Sequence, residues 1–170
     1  GITSFLSAPG KVQGSPHRLT ANLPYSFSGT KLDAIGFVLE PAEAQMLIEK
    51  DARNRNVLFP LINGDDLNSR PDQSPRRWVI NFRDWPLSEA ATYEDCLKIV
   101  VEKVKPQRDK NNRAEYREKW WHHAEKRPAL YARIRDMDRI LACAIVSKYL
   151  CFTFLPTNYV YTHKCCVLTF

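Results

Sequence analysis

The sequence has none of the long apolar runs, paired cysteines or glycine-rich loops that mark many functions. No stretch approaches the ~20 consecutive apolar residues needed to span a bilayer, so no membrane-spanning helix is expected. The opening Gly1-Ile2-Thr3-Ser4-Phe5 has no basic region leading into an apolar run, and no secretion signal is read there. Cysteines number five, Cys96, Cys143, Cys151, Cys165 and Cys166, and none forms a Cys-x-x-Cys pair. The expectation is unpaired thiols in a reducing cytoplasm, with Cys143 and Cys151 as core residues of apolar runs. His163 crowds onto one strand with Cys165 and Cys166, without the spaced pairs of a structural zinc site, so no metal is expected. Gly-x-Ser-x-Gly, the phosphate loop and Gly-x-Gly-x-x-Gly are all missing, and nothing in the motif content supports an independent active site.

What is present suits one globular domain. A hydrophobic share of 44% in 170 residues can bury a core without disulfides or metal. The last six residues, Cys165-Cys166-Val167-Leu168-Thr169-Phe170, form an apolar run, which reads as a fragment of a longer protein. Residues 1–30 are rich in Ser, Gly, Pro and Thr and read as a linking arm with at most one short strand. Ala34–Leu39 suits a buried strand. Pro41 opens a helix at a position where its missing N–H costs nothing, with Ala44, Met46, Leu47 and Ile48 on its apolar side. Val57–Leu61 leads to Asn63-Gly64, a turn signal. Residues 68–77 are a polar loop, and Trp78–Phe82 a short strand. A long helix is predicted from Ser88, as N-cap, to about Lys103, with Lys105-Pro106 ending it. Pro128–Met137 is another helix. Ile140–Val146, Tyr149–Leu155, Tyr159–Thr162 and Cys165–Phe170 read as successive strands. The fold class is therefore α+β, with helices in the middle and a β-rich, mostly antiparallel C-terminal third.

The charge is unevenly placed. Between Lys98 and Arg139 stand six lysines and seven arginines against seven carboxylates, and this segment carries the whole net charge of +6. A basic segment in an otherwise balanced chain suggests a polyanion partner. Its cations include Lys103, Lys105, Arg108, Lys110, Arg113, Arg117 and Lys119, interleaved with polar residues and followed by Trp120 and Trp121. Lysine and arginine neutralise phosphates and release counterions. Gln107, Asn111 and Asn112 carry the groups that read base edges. The two tryptophans read as core aromatics.

Two other constellations are weaker. Asn22-Leu23-Pro24-Tyr25 is one residue away from the Asn-Pro-Pro-Tyr signature of N6-adenine methyltransferases, but only 21 residues precede it and they contain no glycine-rich strand–turn–helix for a methyl donor. Glu40, Glu43, Asp65 and Asp66 are imaginable metal ligands of a nuclease. Yet Pro71-Asp72 is not followed by a strand bearing Glu-x-Lys, and Asp65 and Asp66 suit capping of a turn and short helix. His122-His123 has no partner triad nearby.

An ordered set of segments carries a family resemblance. They are Gly36-Phe37-Val38-Leu39, Pro41-Ala42-Glu43-Ala44, Val57 to Leu67 (VLFPLINGDDL), Trp78-Val79-Ile80-Asn81-Phe82, Val104-Lys105-Pro106-Gln107-Arg108, Trp120-Trp121 and Arg127-Pro128-Ala129-Leu130-Tyr131. Their order and spacing resemble the target-recognition region of MmeI-like and related type IIG restriction–modification enzymes of bacteria. The resemblance implies residues 1–30 as a link from a methyltransferase core and residues 31–170 as a DNA target-recognition domain. It implies double-stranded DNA and that core as partners. It also implies S-adenosylmethionine as cofactor of the parent enzyme, which would methylate adenine N6 and in some cases carry a nuclease. No cofactor is expected in this chain. The alternative is a protein-interaction domain of the same enzyme, whose cue would be an exposed apolar patch in place of a basic groove.

Overall fold

The computed structural model describes residues 20–170. Most of the arm expected over residues 1–30 lies outside them. Its last part forms β1 (Ser26–Ser28), antiparallel to the final strand β8 (Cys165–Leu168). With β5 (Arg139–Ala144) and β6 (Thr153–Pro156) these make an antiparallel sheet of order β1-β8-β5-β6. A second sheet has the order β2 (Val38–Leu39), β4 (Arg77–Ile80), β3 (Leu58–Ile62), β7 (Val160–Tyr161). Strand β7 follows β6 in sequence but leaves the first sheet and pairs parallel with β3, Leu61 opposite Val160 and Ile62 opposite Tyr161. The α+β reading holds, with helices in the middle and a β-rich last third.

The β3–β7 pair divides two hydrophobic cores. Successive strand residues point to opposite faces. Leu61 and Val160 accordingly join a core with Phe37, Leu39, Val79, Phe82, Val100 and Trp120. Ile62 and Tyr161 join the other, with Leu130, Ile134, Ile140 and Val167. Each fully buried aliphatic or phenyl side chain contributes roughly 1.5–3 kcal/mol relative to exposure.

Helix α1 (Pro41–Lys50) starts at the proline, as its sequence predicts. Glu40 and Glu43 close its first turn reciprocally, the Glu43 carboxylate accepting the Glu40 N–H at 2.8 Å. Only Ala44 and Ile48 of its apolar residues are buried, and Met46 faces outward. Asn63-Gly64 makes no hairpin. Instead Asn63 is the N-cap of α2 (Gly64–Ser69), and the Asp66 carboxylate accepts the Asn63 N–H at 2.9 Å. Asp66 thus has the capping role read from its position.

Several boundaries differ from expectation: the helix from Pro128 ends at Ile134 and β5 at Ala144, short of Met137 and Val146. The Ala34–Leu39 strand is mostly a 3-10 turn over Ile35–Phe37, and only Val38–Leu39 pair. The long helix from Ser88 is broken into α3 (Leu87–Ala90) and α4 (Glu94–Lys103), so Ser88 lies inside α3 and is not its cap. The break falls at Thr92, whose hydroxyl donates to the Glu89 carbonyl at 2.7 Å and competes with the helical pattern. Tyr93 then stacks on Trp85, centroids 5.5 Å apart, instead of continuing the helix. Helix α4 ends at Lys103 as expected, but Pro106 then sits in the first turn of a further helix, α5 (Lys105–Arg108), where proline is tolerated. Short α6 (Ala114–Glu118) and α7 (Pro128–Ile134) complete the helices.

All five thiols are free, and Cys96, Cys143 and Cys165 are buried as core residues. Cys151 is exposed, contrary to expectation, because the Tyr149–Leu155 strand begins only at Thr153. Among the described residues no group of His, Cys, Asp or Glu is placed to hold a metal, and no helix is long and apolar enough to cross a membrane.

Candidate nucleic-acid interface

The basic segment wraps the first core, and its cations divide by environment. Arg108 points inward and is 1% exposed. Its Nη2 donates to the Leu32 carbonyl at 2.8 Å, Nη1 lies 3.6 Å from the Asp33 carboxylate, and the guanidinium covers the Tyr116 ring at 4.7 Å. Nε and Nη1 have no hydrogen-bond partner, and burial pushes the guanidinium pKa down. Arg108 is therefore a structural cation, removed from the surface set in which its sequence neighbours placed it. The other six are exposed or half-buried. Lys103 lies 3.7 Å from Glu43, and Lys105 2.7 Å from Asp109. Arg113 donates to the Tyr116 hydroxyl at 3.0 Å and Arg117 to the Asn111 carbonyl at 2.6 Å. Lys110 and Lys119 are exposed with no ion pair among the described residues. Exposed ion pairs contribute about 0–1 kcal/mol, so phosphates can displace the carboxylates at little cost.

Trp120 is buried and Trp121 half-buried, as core aromatics. The Trp121 indole N–H donates to the Trp85 carbonyl at 3.0 Å, and His122 Nε2 bonds the same oxygen at 2.8 Å. His123 Nε2 donates to the Ile80 carbonyl at 2.8 Å, with the ring edge-on to Phe37 at 4.8 Å. These residues clamp the basic segment onto β4 and the loop after it. Burial holds both imidazoles below their ordinary pKa, His123 down to about 4, so they are neutral near pH 7.

The fold assembles a second cationic surface that the charge count did not reveal. The 68–77 loop is tied to the β5–β6 hairpin: Asn68 Nδ2 donates to the Val146 carbonyl at 2.9 Å, and the Thr153 hydroxyl to Gln73 Oε1 at 3.1 Å. The Ile145 N–H donates to the Lys164 carbonyl at 2.9 Å. Arg70, Arg76, Lys148 and Lys164 are thereby gathered on neighbouring loops. Arg76 and Arg70 lie 3.4 Å from Asp66 and Asp72. The signal was available: no Asp or Glu occurs from Ile140 to Phe170.

Two clefts open on the surface, the smaller of them beside Lys164. One of about 470 Å³ lies between α7 and the β3–β4 sheet, with Arg83, Lys126, Arg135, Asn81 and Asn158 on its walls. Arg83 is left-handed, φ 54°, held there by Asn81 Oδ1 accepting its N–H at 2.9 Å. The other, about 270 Å³, is lined by Arg77, His163, Lys164, Asn63 and Asp33 among others. Asn22–Tyr25 line neither cleft. Tyr25 stacks on Phe170, and its carbonyl accepts the Thr169 N–H at 2.8 Å. The strand–turn–helix that opens with Gly64 does not fit a methyl donor. A Cβ on Gly64 would lie 3.0 Å from the Lys164 carbonyl, so its turn is filled by the chain itself.

No family model matches the sequence, and no curated protein matches it. Among solved structures the chain is similar to that of the type IIL restriction–modification enzyme MmeI in complex with DNA. The TM-score is 0.63 at 16% identity, covering 86% of this chain and 19% of that one. The likeness establishes a restriction–modification-enzyme-like fold, and this chain spans about one-fifth of the length of the protein it matches.

Proposed function

We propose that the chain is the double-stranded-DNA recognition module of a site-specific N6-adenine methyltransferase of a restriction–modification system. The methyl-transfer core and its S-adenosylmethionine site belong to other parts of the parent enzyme. One observation carries the reading: over 86% of its length the chain folds like part of an enzyme whose solved structure contains DNA. The exposed cations support it. Lys103, Lys105, Lys110, Arg113, Arg117 and Lys119 are available to phosphates, and Arg70, Arg76, Lys148 and Lys164 add a second group. Base reading falls to side chains with fork-like donors and acceptors close to these, such as Asn112 and Gln107, both exposed.

Duplex binding at increasing salt is the test. Affinity should fall log-linearly, with a slope of about −0.9 per phosphate neutralised. An affinity that stays flat across that range would remove the reading.

A further inference from the structure

The β5–β6 hairpin ends in a surface that no folding requirement explains. Val146 is 76% exposed, Tyr149 69% and Leu150 82%, with Ile145, Phe152 and Phe154 also exposed. The same chain buries Phe37, Phe82 and Ile140 almost completely. Six apolar residues left in water on one hairpin form the kind of patch that marks an interaction site. Its base is rigidly supported. β5 lies between β6 and β8, and the Asn68, Thr153 and Ile145 hydrogen bonds fix both strands near the tip. Beyond Val146 the tip holds, among the described residues, one local bond, the Tyr149 N–H to the Ser147 hydroxyl at 3.3 Å.

Charge decides what covers it. Lys148 Nζ lies 5.2 Å from the Tyr149 ring centroid, and the Arg139 guanidinium 4.1 Å from that of Phe154. Arg76 and Lys164 stand on the two loops bonded to the hairpin, and the hairpin itself holds no carboxylate. A second copy would bring the same cations against these. A polyanion with apolar surface between its charges fits both features, and DNA has that structure: phosphates outside, base faces within. A two-stranded ribbon enters a groove of the duplex, and apolar side chains at such tips part adjacent base pairs.

We propose that the hairpin tip is a wedge, with Tyr149 and Leu150 inserting between base pairs while Lys148 and Lys164 hold the flanking phosphates. This rests on the DNA-binding reading above and adds a deformation of the duplex to it. Parting a base step has a cost that a mismatch removes in advance.

The experiment measures binding of the 170-residue chain to a labelled duplex of about 30 base pairs, and to the same duplex with two adjacent central mismatches. Wild type should prefer the mismatched duplex by roughly tenfold or more. The double variant Y149A/L150A removes exposed side chains only, so its melting temperature should match wild type. It should lose the preference while keeping the salt slope on the intact duplex. Lys148→Ala should instead reduce that slope and retain the preference. Equal wild-type affinity for the two duplexes overturns the wedge and leaves the DNA-binding reading intact, as does a preference retained in Y149A/L150A. Absence of binding to either duplex at any salt overturns both. A wild-type dimer that Y149A/L150A converts to a monomer gives the patch to a second copy and overturns the wedge.

Discussion

Arg108 shows why a cation's neighbours in sequence do not reveal its role. It sits among surface lysines yet is held by Leu32, Asp33 and Tyr116. Arg108→Ala should destabilise the fold by about 3 kcal/mol, by leaving a cavity and an unpaired carbonyl, and should not alter the salt slope of DNA binding. Urea denaturation together with a salt titration checks both parts. Lys110 and Lys119 behave oppositely: their joint replacement by alanine should leave stability within about 0.5 kcal/mol and lower the slope by about two units. His123 sets the acid limit. The unfolded chain takes up its proton near pH 6.5, and the folded chain only near 4. The stability this supplies is complete above pH 6.5 and is lost as pH falls toward 4, about 3 kcal/mol in all. Denaturation midpoints from pH 7 to 4 should fall steeply in wild type and less steeply in His123→Gln.

At the scale of elements, close packing between segments distant in sequence is the controlling feature. A Cβ on Gly29 would come within 2.2 Å of the Thr162 carbonyl oxygen, and one on Gly36 within 2.7 Å of the Lys103 backbone. Gly29→Ala should force β7 away from the segment that follows β1, with a loss of at least about 2 kcal/mol in a melting experiment. Helices α1 and α7 were legible because a proline fixes their starts and a short apolar stripe fixes their buried sides. The α3–α4 break was not legible, since it depends on Tyr93 reaching Trp85, a tertiary contact. The exposed face of the β5–β6 hairpin was hidden for a related reason. Its residues have strand-like composition, and only the pairing register shows that β6 begins at Thr153. Of the cation set, six members were legible as surface charge, while the cluster joining the 68–77 loop to Lys148 and Lys164 required the fold to bring them together.

At the scale of the molecule, two cores share the β3–β7 pair, so the basic segment over the first core and the hairpin extending from the second belong to one body. The balance of charge is consistent with that division. The first group of cations is interspersed with carboxylates, whereas the second joins Arg70 and Arg76, which are paired with Asp72 and Asp66, to Lys148 and Lys164 on a C-terminal stretch with no carboxylate. Both are suited to a phosphate backbone, and the apolar tip beside the second group to the bases. The most direct measurement of the central claim is selection from a pool of randomised duplexes across a salt series, followed by sequencing of what is retained. Salt-sensitive retention with enrichment of one short adenine-containing motif is the predicted result. Retention of no duplex at any salt would contradict the account.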